Sequence, residues 1–181
     1  MIAAYRDEPL LRTHVVLALL LASAMASAAE ITGRVVGITD GDIITVLDAG
    51  KKQHTIRLSG IDAPELKQPF GAQSKKSLSG MVNKRQVTIA WDKRDRNKRI
   101  VGKVFFRPEL CASPACLETT DANYQQIAAG MAWHDKQTEA EQSHDDRERY
   151  AAAEKQARAA KRGLWADSAP VPPWEWRSKP K

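Results

Sequence analysis

Ile31-Thr32-Gly33-Arg34-Val35-Val36-Gly37-Ile38-Thr39-Asp40-Gly41-Asp42-Ile43-Ile44-Thr45-Val46-Leu47 reads as two short strands around an Asp40-Gly41 turn. The first, residues 31–38, is rich in β-branched side chains and loosely alternating. The second, residues 43–47, puts Ile44 and Val46 on one face. Ala49-Gly50-Lys51 marks a second turn, and residues 54–61 form a third strand. There Ile56 and Leu58 share a face while Arg57 and Ser59 point the other way. Three short strands joined by tight turns predict a meander.

Ala63-Pro64 ends the third strand. Residues 71–82 carry Ala72, Leu78 and Val82 at helical spacing. Residues 86–91 and 100–106 read as strands four and five, and residues 107–121 as a long loop. A short helix over 124–129 ends at Gly130, and a charged, Ala-rich helix over 139–162 closes at Gly163. The thin apolar stripe of the long helix predicts one packed face and a wet remainder. The tail beyond residue 167 is Pro-rich with Trp174 and Trp176, and is expected not to be helical. Five strands with a helix after the third predict an α+β, mainly β, small closed barrel, with the OB type as one candidate.

The first 28 residues read as a leader. Arg6 and Arg12 precede an apolar run over 15–22, and Ala26-Ser27-Ala28 offers a small-residue exit, with Ala24-Met25-Ala26 as the alternative. The run is short of the roughly 20 residues that span a bilayer. The expected organisation is a signal peptide over 1–28, one domain over 29–166 and a tail over 167–181. A secreted or periplasmic location follows, without stable membrane association after cleavage. Cys111 and Cys116 enclose Ala-Ser-Pro-Ala; in an oxidising compartment they predict a loop disulfide, with a metal site as the weaker reading.

The chain has 181 residues, 28% of them charged and 43% hydrophobic, which excludes a disordered chain, a collagen-like fibre and a disulfide-dense miniprotein. Its net charge is +6. That charge is concentrated: residues 75–103 hold ten Lys and Arg against Asp92 and Asp95. A basic stretch of this kind points to a polyanion partner.

Four pieces carry the chemistry: Thr39-Asp40-Gly41-Asp42, Ile56-Arg57-Leu58, Gly60-Ile61-Asp62-Ala63-Pro64-Glu65, and Asp95-Arg96-Asn97-Lys98-Arg99. Asp42 and Asp62 sit at strand ends that a barrel can bring together. Two carboxylates that meet repel unless a cation joins them, and a hard cation such as Ca²⁺ takes oxygen ligands from Asp and backbone carbonyls. Ala63 can offer its carbonyl. Glu65, three residues after Asp62, can polarise a water for attack. Arg57 and Arg99 supply two guanidinium forks for a phosphate. His144-Asp145-Asp146 lies in an acidic run and reads as a solvated helix face. Together these residues describe a phosphate-binding domain fitted for phosphodiester hydrolysis.

The same motifs resemble the staphylococcal nuclease (thermonuclease-like) family. The block Arg57-Leu58-Ser59-Gly60-Ile61-Asp62-Ala63-Pro64-Glu65 carries most of the resemblance. Gly130-Met131-Ala132, Arg162-Gly163-Leu164-Trp165 and Pro173-Trp174-Glu175-Trp176-Arg177 extend it over nearly all of residues 31–165 and into the tail. The resemblance implies a five-stranded OB-type barrel with three helices. It implies Ca²⁺-dependent hydrolysis of DNA and RNA with little sequence specificity, leaving 3′-phosphates, and nothing in the sequence requires more than a monomer. Asp42, Asp62 and Ala63 match its metal ligands, Glu65 its proposed general base, and Arg57 and Arg99 its phosphate-binding arginines.

Departures exist. The family's usual Tyr-Gly before the second arginine is Asn97-Lys98 here. Arg96 keeps a charge that can hold a terminal phosphate. The aromatic pair that stacks on a base has no clear match, leaving Trp133 or His134 as substitutes. The reading from a different class is a nucleic-acid-binding OB module that does not cut; only the nuclease requires Glu65.

Overall fold

The computed structural model describes residues 29–108 and 120–179. The leader, its cleavage site, and Cys111 and Cys116 lie outside the described residues.

The barrel is built by β1 (Ala29–Ile38), β2 (Ile43–Asp48), β3 (Gln53–Leu58), β5 (Gln86–Arg94) and β6 (Ile100–Phe106). Two-residue strands β4 (Ile61–Asp62), β7 (Thr120–Asp121) and β8 (Trp133–His134) are additions. The order is β3-β2-β1-β5-β6-β7, and a parallel β3–β6 pairing closes the ring. Strand β1 is shared: its first half pairs with β5 and its second with β2. The register shift between Val35 and Gly37 leaves Val36 48% exposed and lets the strand bend from one partner to the other. This is the five-stranded OB-type barrel expected, with more helix than expected.

Alternation fills the interior. Val35, Ile44, Val46, Ile56, Leu58, Ile89, Ile100 and Val104 are buried inside. Each such side chain contributes roughly 1.5–3 kcal/mol by leaving water. Leu78 and Val82 of α1 (Gly71–Val82), Ile127 of α2 (Ala122–Ala128) and Tyr150 of α3 (His144–Ala159) complete this core. A second cluster gathers Trp133, Ala157, Leu164 and Trp165, with Phe70 and Trp174 against it.

Three features differ most from the sequence reading. The third strand stops at Leu58, because Gly60 takes a left-handed turn (φ 70°) under the Tyr150 ring; Ile61 and Asp62 then pair with His134 and Trp133. The long helix begins at His144, where Ser143 accepts from the Asp146 N–H; residues before it form a 3₁₀ turn (Lys136–Glu141) capped by Asp135. The tail does contain a helix, α4 (Pro173–Ser178). Pro173 stands at its first turn, where the missing N–H is no loss and the fixed φ favours helix entry.

Helix α2 packs on α1, α3 and β6, and it carries two fully buried amides. Asn123 accepts from Val104 N (3.0 Å) and donates to Ser59 O (2.9 Å) and Gly102 O (3.2 Å). Gln126 donates to Gly41 O (2.8 Å) and Ser74 O (3.1 Å) and accepts from Ser77 Oγ (2.7 Å). Each amide therefore ties down a turn that leads into an aspartate. Asn123→Leu strands buried backbone groups without partners and is expected to cost about 2–4 kcal/mol. A urea unfolding midpoint equal to that of the unmutated chain would show that this amide is dispensable.

Candidate active site

The four sequence pieces converge on one cleft of about 550 Å³, lined by Asp40, Asp42, Arg57, Asp62, Ala63, Glu65, Asp95, Arg96, Asn97, Arg99 and Arg177. Strand β3 directs Arg57 into it, between Ile43 of β2 and Val101 of β6. The Asp40-Gly41-Asp42 turn presses against α1 so closely that a Cβ on Gly41 would overlap the Ser74 side chain. Only glycine permits that approach, and it sets Asp42 at the cleft wall.

Asp42 and Asp62 are nearly closed off from solvent, at 5% and 3% exposure. The Ala63 N–H donates to Asp42 Oδ2 (3.2 Å), joining the two acidic turns. Among the described residues no basic side chain contacts Asp42 directly. Burial pushes its carboxyl well above the usual range, and the nearby charges of Asp40 and Asp62 push the same way, with Arg57 opposing. Burial also raises Asp62, while Arg177 and Arg57 work to lower it. Arg57 Nη2 lies 3.8 Å from Asp62 Oδ1 and 3.9 Å from Asp135 Oδ2, ion-pair rather than hydrogen-bond distances.

Arg99 is held by Asp95 twice, through Nε (2.6 Å) and its own N–H (3.0 Å). Asp95 also accepts from the Asn97 N–H (2.9 Å). Burial acts to raise the Asp95 carboxyl, but these hydrogen bonds outweigh it and hold the group below its ordinary value. The turn places Lys98 at φ 63°, the left-handed region where glycine is at ease. Arg96 and Asn97 stand exposed at the cleft edge.

The cleft gathers Arg57, Asp42, Asp62, Ala63, Glu65, Arg96 and Arg99. It does not gather Trp133. That side chain is 7% exposed, with Trp165 and Trp174 edge-on at 4.3 and 5.5 Å, and it belongs to the second apolar cluster rather than to the cleft. His134 is likewise buried, bonded through Nε2 to Gln142 Oε1 (2.9 Å).

The sequence reading missed Arg177. Its Nη1 donates to Asp62 Oδ1 (3.1 Å) and Glu65 Oε1 (2.9 Å), and its Nη2 to Asp62 Oδ2 (2.6 Å). Asp135 was also missed: it is 5% exposed and caps the following 3₁₀ turn while facing Arg57. Nothing in local sequence pattern marks either residue, because their partners lie tens of residues away.

The oxygen set suits a hard cation. Among the described residues no three His, Cys, Asp or Glu side chains form a ready cage. The protein offers two carboxylates and a backbone carbonyl, donors of the type a hard cation such as Ca²⁺ takes together with water. The buried Asp42 carboxylate without a direct cationic partner fits that chemistry.

A model of the staphylococcal nuclease homologue family matches residues 55–167. Arg57, Asp62, Glu65 and Arg99 fall within the match, Asp42 precedes it and Arg177 follows it. An uncharacterized endonuclease of Haemophilus influenzae is 37% identical over 175 residues, covering 97% of this chain and 88% of its own. An uncharacterized endonuclease of Escherichia coli is 36% identical, covering 93% and 99%. A micrococcal nuclease of Shigella flexneri is 32% identical, covering 91% and 90%.

Because the folded Asp42 carboxyl binds its proton more tightly than the unfolded one, stability falls as pH rises from the unfolded value, near 3.8, through the raised folded value. Asp42→Asn, measured in chelator, is therefore expected to raise stability at neutral pH by on the order of 1 kcal/mol. The gain should vanish below about pH 4. Thermal melts across that range that are unchanged, or lowered at neutral pH, would contradict this.

Proposed function

Because the chain belongs to the staphylococcal nuclease family, we propose that it is a Ca²⁺-dependent endonuclease that hydrolyses DNA and RNA with little sequence preference and leaves 3′-phosphates. The observation that carries this reading is the convergence of Asp42, Asp62, Glu65, Arg57 and Arg99 on one cleft. Asp42, Asp62 and the Ala63 carbonyl are the groups that would hold the metal. Bound there, Ca²⁺ would supply charge neutralisation at the phosphate oxygens.

The chain's own residues supply the rest. Glu65 is 38% exposed at the side chain, open enough to meet water, and takes a proton from it as the water oxygen bonds to phosphorus. Arg57 and Arg99 donate to the non-bridging oxygens, whose charge grows during in-line attack. The bond from phosphorus to the 5′-oxygen breaks, and that oxygen is protonated from solvent. Asp95 orients Arg99, so its guanidinium need not be ordered at the moment of reaction. Arg96 supports the reading as a further charge for flanking phosphate. The barrel presents no built aromatic platform from Trp133, in keeping with weak base selection.

The leader composition supports export to the periplasm or medium, with the Cys111–Cys116 disulfide formed there. A single chain supplies all the groups named, which supports action as a monomer.

Glu65→Gln is expected to lower cleavage by about 10²–10⁴-fold. Binding of uncut nucleic acid should stay within a few-fold and keep its salt dependence. Cleavage at the unmutated rate would remove Glu65 from the mechanism.

A further inference from the structure

Arg177 lies 115 positions from Asp62, yet its guanidinium spans both oxygens of that carboxylate and reaches Glu65. A two-pronged pair of this kind is among the stronger charge-assisted contacts. The residue is not a loose end that happens to touch acid. Pro173 is buried, Trp174 meets Trp133 edge-on at 5.5 Å, and Gln68 Nε2 donates to Val171 O at 2.6 Å. Helix α4 is thus seated on the second apolar cluster, and its last turn delivers Arg177 to the cleft.

The seat and the tip differ. Pro173 and Trp174 hold the segment by packing, while the Arg177 side chain is 44% exposed. Arg177 is held by hydrogen bonds to Asp62 and Glu65, so its guanidinium can swing away while the base of the helix stays. The same carboxylates have a second claim on them. Asp62 would ligate the metal, and Glu65 would accept the proton of the attacking water. Neither can do so with Arg177 in place, since one set of oxygens cannot serve a guanidinium and a divalent cation together.

We propose that α4 is an intramolecular latch: Arg177 competes with the divalent cation for Asp62 and with the attacking water for Glu65, and cation binding requires its release. This rests on the nuclease reading of the cleft. The latch holds the buried Asp62 and the half-buried Glu65 neutralised while the cation is absent, and yields when the cation binds. Linkage makes the effect reciprocal: cation binding frees the tip, and removing the tip tightens cation binding.

The test is calorimetric titration of the full chain with CaCl₂ alone, without nucleic acid, for the unmutated protein, Arg177→Gln and Arg177→Lys. Arg177→Gln is expected to bind Ca²⁺ about tenfold more tightly, with Arg177→Lys between the two. In the unmutated chain, tryptophan fluorescence should change with the same Ca²⁺ midpoint as the heat, through Trp176 next to the released Arg177; in Arg177→Gln that change should be largely lost. A cooperative melt in chelator establishes that the variant is folded, as expected for a half-exposed side chain. Equal or weaker Ca²⁺ affinity in Arg177→Gln overturns the latch. If Asp42→Ala then still abolishes binding, the calcium site stands and only the latch falls. Absence of Ca²⁺ binding in every form overturns both.

Discussion

Two aspartates, Asp42 and Asp62, are buried side by side at the rim of a barrel, and the rest of the site is arranged around that constraint. Taking one carboxylate out of water is costly, and a second nearby adds repulsion. The protein meets this with positive charge from several directions. Arg57 approaches from β3 and Arg177 from α4. On the nuclease reading, a divalent cation bound between these acids would take the place of that positive charge and would attract phosphate. Burial of acid is thus what the proposed metal and substrate chemistry both rest on.

Such a constraint is sustainable only on a stiff frame. The barrel provides it through the closing β3–β6 pair, which fixes Arg57, and through α2. From one helix, Gln126 grips the turn before Asp42 and Asn123 grips the turn before Asp62. Their amides also satisfy buried backbone groups that the irregular turns leave behind. Gly41 and Gly60 allow those turns to come close to α1 and Tyr150, respectively. Positioning groups so that two like charges stay near each other is work that neither aspartate could do from its own strand.

Much of this was legible from residue order. Period-two alternation at Ile44, Val46, Ile56 and Leu58 placed the inner face, and the Asp-Gly-Asp and Asp-Ala-Pro-Glu motifs placed the acids at strand ends. Arg57 followed from its place off the apolar face of its strand, and Arg99 from its position after a turn in the basic stretch. What escaped depends on contacts distant in the chain. Asn123 and Gln126 look like ordinary polar residues in a short helix until the barrel buries them. Trp133 reads as an aromatic available to a base, but Leu164, Trp165 and Trp174 arrive from far downstream to cover it. The tail misled for a local reason: proline density argues against helix, yet proline at the first turn starts one. Arg177 was one base among many until α4 aimed it.

On this reading the cleft cuts nucleic acid only when a cation occupies its acids. The most direct measurement is incubation of the full chain with denatured DNA and with RNA, in Ca²⁺ and in EGTA, followed by analysis of the new ends. Fragments are expected only in Ca²⁺, carrying 3′-phosphates. Intact nucleic acid in Ca²⁺ with the protein folded, or equal degradation in EGTA, would contradict it.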